Sequence, residues 1–220
     1  AATPDRIAAA KRAGRLSVSF HFQSATPFAE SLDLVEGFHG AGIMRSILAY
    51  NEANIFADGC HEPRNAGLTA LGRRLIARMD AVGMIVDLSH CGERTAFEAL
   101  EAPLKRPPLF SHSNARALFD HERNISDALI KACGQRGGTI GISGVGMFLG
   151  ADGPAIPAAM ARQAAHIAGL IGADRLTLGL DFMFLENSDY GFFHAGRGRW
   201  PRGYPDPPWD FLQPEQLGDL

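Results

Sequence analysis

The feature that most constrains the fold of this chain is a regular alternation of short apolar runs with longer segments of helical periodicity. About six such strand-then-helix units follow one another, each roughly 25–40 residues long. The strand-like runs are residues 16–22, 43–49, 84–88, 108–110, 139–143 and 175–180, and the helical segments are residues 28–41, 68–82, 95–100, 125–135 and 157–171. This alternation predicts an α/β domain with parallel strands and helical crossovers, extending over residues 1–220 as a single unit.

Polar residues follow the apolar runs, and their distribution distinguishes the two α/β architectures that fit the alternation. They are Gln23, Tyr50-Asn51, Ser89-His90, Ser111-His112 and Asp181. A (β/α)8 TIM-type barrel gathers such residues at the carboxyl ends of all its strands. A doubly wound sheet concentrates them at one switch point, and no G-x-G-x-x-G motif follows the first run here. The pattern therefore favours the barrel, with about six of its eight units in this chain.

The last part of the chain differs in composition from the rest. Residues 182–213 are rich in glycine, proline and aromatic residues, which predicts a long irregular segment. Segments of this length after a barrel strand are typically functional or mobile. A final helix is expected to begin at Pro214-Glu215.

Charge, hydropathy and cysteine usage exclude several classes of protein. The net charge is −3 and no Lys/Arg-rich block occurs, which argues against nucleic-acid binding. No run of 18 apolar residues and no signal-peptide pattern is present, so a transmembrane helix is not expected. The three cysteines have no regular spacing and do not suggest a disulfide framework. A reducing, cytoplasmic location is the expectation.

Two Ser-His pairs provide the strongest local signal of chemistry. His90 ends the run VDLSH and His112 lies in FSHS, so the histidines are 22 residues apart (112 − 90), about one strand-helix unit. On neighbouring barrel strands both imidazoles could bind one ion, and neutral imidazole suits Zn²⁺. The alternative is that each histidine makes local hydrogen bonds alone. The GCHE sequence at 59–62 is interpreted as a loop, because adjacent Cys and His is poor zinc spacing.

Six motifs in a fixed order carry a resemblance to a known family. They are YNEAN at 50–54, GLT at 67–69, GMIVDLSH at 83–90, SHS at 111–113, RN at 123–124 and GG at 137–138. In this order they resemble the membrane (renal) dipeptidase family of zinc peptidases, from about Gly14 to Asp181. The set VDLSH, SHS and RN is its most specific part. The resemblance implies a (β/α)8 barrel that holds two zinc ions and cleaves dipeptides.

The resemblance also implies roles for individual residues. His90 and His112 match the two histidines that bind the second zinc ion. Arg123 matches an arginine that binds the substrate carboxylate, to which a guanidinium fork is well suited. Asp181 matches an aspartate proposed to handle a proton near the attacking water. Taken alone, an aspartate at a strand end is more often a cap or a turn former.

The chain departs from the family pattern in its metal and substrate residues. The His-x-Asp pair that binds the first zinc ion has no match. Gln23 replaces a glutamate that bridges both metals, and a neutral amide brings no negative charge to a metal site. Tyr50 replaces a histidine that contacts the substrate and the oxyanion, where a hydroxyl can still donate. The neighbouring Asn51 is predicted to bind substrate with Tyr50. Gln and Tyr at these positions resemble a bacterial branch of the family.

The sequence therefore predicts a zinc-dependent dipeptidase with one or two ions, truncated at both ends relative to the family. Its predicted partner is a dipeptide, and the family adds the expectation of a homodimer. A catalytically inactive member that binds a small peptide or amino acid is the alternative, favoured by Gln23 and by the missing His-x-Asp pair. Four further histidines are interpreted as solvated or capping residues, at positions 39, 121, 166 and 194.

Overall fold

The computed structural model describes residues 3–183, 190–199 and 204–220. The contacts within the chain divide it into two compact units, Ala1–Leu109 and Phe110–Leu220. Each unit contains parallel strands and the helices that follow them. The expectation of one barrel domain over residues 1–220 stays a prediction.

The first unit is built on a three-stranded parallel sheet. Its strands are β1 (Phe20–Phe22), β2 (Ile43–Ile47) and β3 (Ile85–Asp87), in the order β1-β2-β3. A parallel bridge also joins Asp87 to Leu109. The helices are α1 (Pro4–Arg12), α2 (Leu34–Gly40), α3 (Ala70–Val82) and α4 (Glu93–Glu101), with a 3-10 turn at Thr26–Phe28.

Helix α3 shows how the sequence sets the boundaries of an element. The Thr69 hydroxyl accepts a hydrogen bond from the backbone N–H of Gly72 and caps the first turn. Gly83 adopts a left-handed conformation with φ 95° and ends the helix. Leu75 and Met79 are buried on one face of the helix. The predicted helix over residues 68–82, with Gly83 as its stop, is confirmed.

Two predicted elements of the first unit are shorter than expected. The run 16–22 forms a strand over Phe20–Phe22 alone, because β1 is the edge of the described sheet and its register to β2 is irregular at Phe20/His21. The helix predicted over 28–41 begins at Leu34. Before it, the Ser31 hydroxyl accepts a hydrogen bond from the N–H of Asp33, a local turn that competes with helix.

The second unit contains a two-stranded parallel sheet. Its strands are β4 (Ile140–Ile142) and β5 (Leu176–Leu178), and a parallel bridge joins Phe110 to Ile140. The helices are α5 (Asp127–Arg136), α6 (Gly146–Leu149), α7 (Ile156–Ile171) and α8 (Gly191–Ala195). Short 3-10 turns lie at Gly153–Ala155, Ala173–Arg175, Arg197–Arg199 and Pro214–Asp219. The helix expected to begin at Pro214 is therefore a 3-10 turn.

Aromatic residues from the C-terminal part of the chain form a second core. Its buried members are Val145, Phe148, Tyr190, Phe193, Tyr204 and Phe211. The segment predicted to be irregular, residues 182–213, thus contains the short helix α8 and contributes four side chains to this core. Residues 184–189 and 200–203 of it lie outside the described residues.

Within the described part of the chain, no helix combines the length and the apolar character needed to cross a bilayer.

Candidate active site

In the first unit, three predicted site residues lie at the same edge of the sheet. Gln23 directly follows β1, Asn51 follows β2 and His90 follows β3. Because these strands are parallel, their carboxyl ends meet at one edge. Gln23 is exposed, whereas Asn51 and His90 are 3% and 4% exposed. Asn51 and His90 are therefore buried polar residues at the same edge of the sheet.

Asn51 and His90 are joined by a short hydrogen bond. The distance between His90 Nδ1 and Asn51 Oδ1 is 2.7 Å. The Tyr50 ring stacks on the imidazole, with 4.0 Å between ring centroids and 25° between ring planes. The Tyr50 side chain therefore lies beside His90, and its role in the site stays a prediction.

The loop at residues 59–61 braces this pair. The N–H of Cys60 donates to the backbone oxygen of His90 at 2.8 Å, and the N–H of His61 donates to that of Asn51 at 2.7 Å. Gly59 lies so close to the Asn51 backbone that a Cβ atom would collide with it. The interpretation of residues 59–62 as a loop fits this arrangement. The sequence does not predict that this loop holds Asn51 and His90 in place, and Gly59 is its one feature that indicates a close backbone contact.

Asp58 anchors the start of that loop. Its carboxylate accepts hydrogen bonds from Arg64 Nε and Nη2 and from the N–H of Ala66. The Thr95 hydroxyl donates to the Asp58 backbone oxygen at 2.8 Å. The Arg64 guanidinium holds the pKa of Asp58 below its ordinary value, and the Ala66 N–H acts in the same direction. The hydrogen bond from Thr95 ties the loop to helix α4, which contains Thr95.

In the second unit, His112 and Asp181 face each other. His112 Nε2 lies 3.9 Å from Asp181 Oδ2, and His112 Nδ1 is 2.8 Å from the Ser111 hydroxyl. His112 is buried and the Asp181 side chain is about one quarter exposed, at 26%. A histidine oriented at one ring nitrogen and facing a carboxylate at the other can serve metal binding or proton transfer.

Arg123 is the most unusual charge in the second unit. It is 2% exposed, yet it forms no ion pair with any described residue. Its Nη2 donates to the His112 backbone oxygen at 3.2 Å, and its guanidinium carbon lies 5.2 Å from the Phe148 ring centroid. Its buried Nε has no hydrogen-bond acceptor among the described residues. Burying an unpaired charge is costly, so this guanidinium is suited to an anionic ligand.

His121 contacts the backbone of Arg123, and its position corrects the interpretation of His121 as a solvated or capping residue. It was expected to be solvated or to cap, but it is buried at 6% exposure. Its Nδ1 accepts a hydrogen bond from the N–H of Arg123 at 3.0 Å. Its ring packs 4.8 Å from that of Phe148 and 5.8 Å from that of Tyr204. The sequence carried no signal for these contacts, because Tyr204 is 83 residues further along the chain (204 − 121).

The ring nitrogens of His90 and His112 are suited to binding a metal ion, although few other candidate metal ligands are grouped with them. Each imidazole has Nδ1 engaged by a neighbouring oxygen, the arrangement typical of metal ligands that bind through Nε2. No group of three or more His, Cys, Asp or Glu side chains among the described residues could hold a metal ion. Within a unit, His112 and Asp181 form the closest such pair of predicted site residues.

The chain matches the family model described as membrane dipeptidase (peptidase family M19) over residues 1–195. It is similar to the dipeptidase tcpJ of Claviceps purpurea, with 32% identity over 78% of this chain and 41% of the relative. An uncharacterized dipeptidase of Schizosaccharomyces pombe is 31% identical over 92% of this chain and 48% of its own length. This chain thus spans less than half of both curated relatives.

Two solved structures have a similar fold. One is an amidohydrolase from Pseudomonas aeruginosa, with a TM-score of 0.80 and 31% identity, covering 88% of this chain and 58% of that structure. The other is a metallopeptidase from Rhodobacter sphaeroides liganded with a phosphinate mimic of the dipeptide L-Ala-D-Ala. Its TM-score is 0.73 at 21% identity, covering 94% of this chain and 63% of that structure. The α/β fold is therefore shared with these enzymes.

Proposed function

This chain belongs to the membrane dipeptidase family, peptidase family M19, and from that premise we propose that it is a metal-dependent dipeptidase. We propose further that its strands form part of a (β/α)8 barrel. Support for the barrel comes from the alternation of strands and helices, from the parallel pairing inside each unit and from the likeness to the solved relatives.

One observation carries the proposal: the second unit places three complementary groups together. His112 offers a metal-ligand nitrogen, Asp181 offers a carboxylate 3.9 Å from it, and Arg123 is bonded to the His112 backbone. In the proposal they serve as a metal ligand, a proton acceptor and a buried cation that binds a carboxylate. A dipeptide presents an anionic C-terminus next to its scissile bond, so its chemistry matches this set.

The roles of the residues follow from this match. Arg123 binds the C-terminal carboxylate of the dipeptide. Asp181 takes a proton from the attacking water and returns it to the leaving amine, as the C–N bond breaks and a C–O bond forms. The Tyr50 hydroxyl donates to the oxyanion that develops on the carbonyl. Asn51 remains a predicted substrate contact, although its oxygen is engaged by His90.

His90 and His112 would hold the metal, with Gln23 as the third predicted ligand. Their assignment to one site rests on the sequence motifs and the family. When bound, a zinc ion supplies Lewis-acid polarisation of the carbonyl and lowers the pKa of water. Whether one or two ions bind is part of the proposal, as are the homodimer and the cytoplasmic location.

The direct test is hydrolysis of L-Ala-D-Ala by the purified chain with added Zn²⁺. We expect turnover, and we expect Arg123→Met to lower kcat/KM by about 10- to 100-fold, because a charged hydrogen-bonding partner of the substrate is removed. The C-terminal amide of the same dipeptide is the matched control, since it lacks the carboxylate. If Arg123→Met affects the acid and the amide equally, Arg123 does not bind the carboxylate.

Metal content tests the histidine assignment separately. His90→Ala and His112→Ala should each abolish bound zinc, measured by elemental analysis of the dialysed protein. His166→Ala is the matched control, because His166 pairs with Asp127 at a partly exposed position and has no proposed metal role. Unchanged zinc in both site variants would remove the assignment.

A second function is an inactive family member that binds a small peptide or amino acid. The specific observations that favour it are the exposed, neutral Gln23 and the finding that no three His, Cys, Asp or Glu side chains of the described residues are grouped as metal ligands. This alternative predicts that L-Ala-D-Ala raises the melting temperature of the chain without being hydrolysed. Turnover in the assay above would exclude it.

A further inference from the structure

We infer that Asn51 is a positioning residue that fixes the tautomer and the orientation of the His90 imidazole. The role in metal binding rests on the proposed function, whereas the tautomer itself is a property of the metal-free chain. Asn51 would act through His90, by keeping the proton on Nδ1 and the lone pair on Nε2.

The first argument is the chemistry of the 2.7 Å contact between His90 Nδ1 and Asn51 Oδ1. A carbonyl oxygen accepts hydrogen bonds and has no hydrogen to give, so the imidazole nitrogen must be the donor. The Cys60 thiol donates to the same oxygen at 3.4 Å. This second donor favours the oxygen, rather than the NH₂ group, at this position of the Asn51 amide. In a neutral imidazole the other nitrogen, Nε2, is then the acceptor.

The second argument is that this contact depends on an unusual backbone at both residues. Asn51 has φ 60° and His90 has φ 66°, both in the left-handed region. Asparagine and histidine are among the few residues with side chains that populate this region. The bonds from the loop N–H groups of Cys60 and His61 hold the two left-handed residues in place. The strained backbone persists because its surroundings over-determine it, as at many functional sites.

The third argument is the immobilisation of the ring itself. Asn51 engages one ring edge, and Tyr50 covers one ring face at 4.0 Å. His90 is 4% exposed, so bulk water does not compete for its Nδ1 proton. A histidine ligand whose second nitrogen donates to an oxygen acceptor is both oriented and made more basic. The geometry at Asn51 is of this kind, with an amide oxygen as the acceptor.

The test is nitrogen-15 NMR of the histidine rings in the metal-free chain, at a pH where imidazole is neutral. Wild-type His90 should show a protonated Nδ1 and an unprotonated Nε2. Asn51→Gly removes the amide and tolerates the positive φ, so the ring should lose its single tautomer without backbone strain. Asn51→Asp keeps an oxygen acceptor and should retain the wild-type tautomer.

Asn65→Gly is the matched control. Asn65 also has a positive φ, of 43°, and its side-chain oxygen accepts a hydrogen bond from the N–H of Arg94. The same substitution there removes a structural hydrogen bond in the same unit and should leave the His90 tautomer unchanged. If a general loss of structure in the first unit were enough to change the His90 tautomer, both Asn51→Gly and Asn65→Gly would change it.

Zinc titration of the same variants extends the test. Asn51→Gly should weaken zinc binding by about 10- to 100-fold relative to wild type, and Asn65→Gly should not. A proton on Nε2 of wild-type His90, or an unchanged tautomer in Asn51→Gly, would overturn the inference. A wild-type chain that binds no zinc would instead refute the proposed function, and the NMR result would still decide the role of Asn51.

Discussion

At the scale of single residues, Asp58 contributes a pH-dependent part of the stability of the first unit. Asp58 is 1% exposed, and its carboxylate accepts hydrogen bonds from Arg64 and from the N–H of Ala66. Its pKa is below the ordinary value in the folded chain, so between the two pKa values the unfolded chain binds more protons. The stabilisation is therefore complete above the unfolded pKa of about 4 and is lost as the pH falls through the folded pKa.

Asp58→Asn should lower the free energy of unfolding by about 1–3 kcal/mol at neutral pH, since Arg64 and the N–H of Ala66 lose their charged acceptor. The variant should also lose less stability than wild type as the pH falls from about 5 to about 3. Urea denaturation at several pH values measures both effects. Asp33→Asn is the control, because Asp33 forms an exposed pair with Arg78 that contributes little. Parallel pH curves for wild type and Asp58→Asn would contradict the prediction.

The sequence named the candidate site residues but did not predict the contacts among them. His90 follows strand β3, as the Ser-His pair indicates, whereas the run at residues 108–110 before His112 forms only isolated parallel bridges and no strand. The contact between Asn51 and His90 spans 39 residues and depends on positive φ at both, which no local pattern reveals. The buried state of His121 depends equally on distant aromatic residues.

At the scale of secondary-structure elements, glycine sets how closely the strands of the second unit approach. Gly141 in β4 donates to the Phe110 backbone oxygen, and its own oxygen accepts from the N–H of Ser113. A Cβ at Gly141, or at Gly179 after β5, would collide with the Ser111 backbone oxygen. The backbone of Ser111, next to His112, therefore packs directly against the backbone of Gly141 and Gly179, where no side chain intervenes.

Gly141→Ala should destabilise the chain by about 1–3 kcal/mol, because the added methyl group has to displace a hydrogen-bonded backbone. Thermal unfolding followed by circular dichroism measures the change. The matched control is Gly37→Ala in helix α2, where a Cβ has no atom within 4 Å. That substitution should stabilise the helix by about 0.5–1 kcal/mol. Equal effects at the two glycines would argue against the close approach.

Element boundaries were predictable where capping residues mark them. Helices α3 and α5 end at Gly83 and Gly137, both in the left-handed region, and begin after Thr69 and Ser126 as caps. Strand β1 was not predictable in length, because its pairing depends on a neighbour rather than on its own alternation.

At the scale of the whole molecule, the chain carries an exposed apolar edge. Leu16 is 88% exposed, and Val18 and Phe20 are more than half exposed along the segment leading into the edge strand β1. Apolar side chains at an open strand edge favour association between chains. A net charge of −3 offers little repulsion to oppose this.

Leu16→Lys should therefore raise the concentration at which the chain begins to aggregate, measured by light scattering, with little change in unfolding free energy. Ile55→Lys is the matched control, because Ile55 is 49% exposed and lies in a loop away from the strand edge. A similar gain from both substitutions would indicate a general effect of charge. A higher aggregation concentration in Leu16→Lys alone would identify the exposed apolar segment before β1 as the site of association.

The aromatic core of the second unit has a thermodynamic consequence for recognition. Tyr204 and Phe148 pack around His121, and Phe148 also lies against the Arg123 guanidinium. A ligand that stabilises the position of the Arg123 guanidinium should therefore also stabilise the C-terminal segment that contains Tyr204. The coupling free energy between the two is the same in both directions. An acidic ligand should therefore slow proteolysis of the C-terminal segment, and cleavage of that segment should lower the affinity for the ligand.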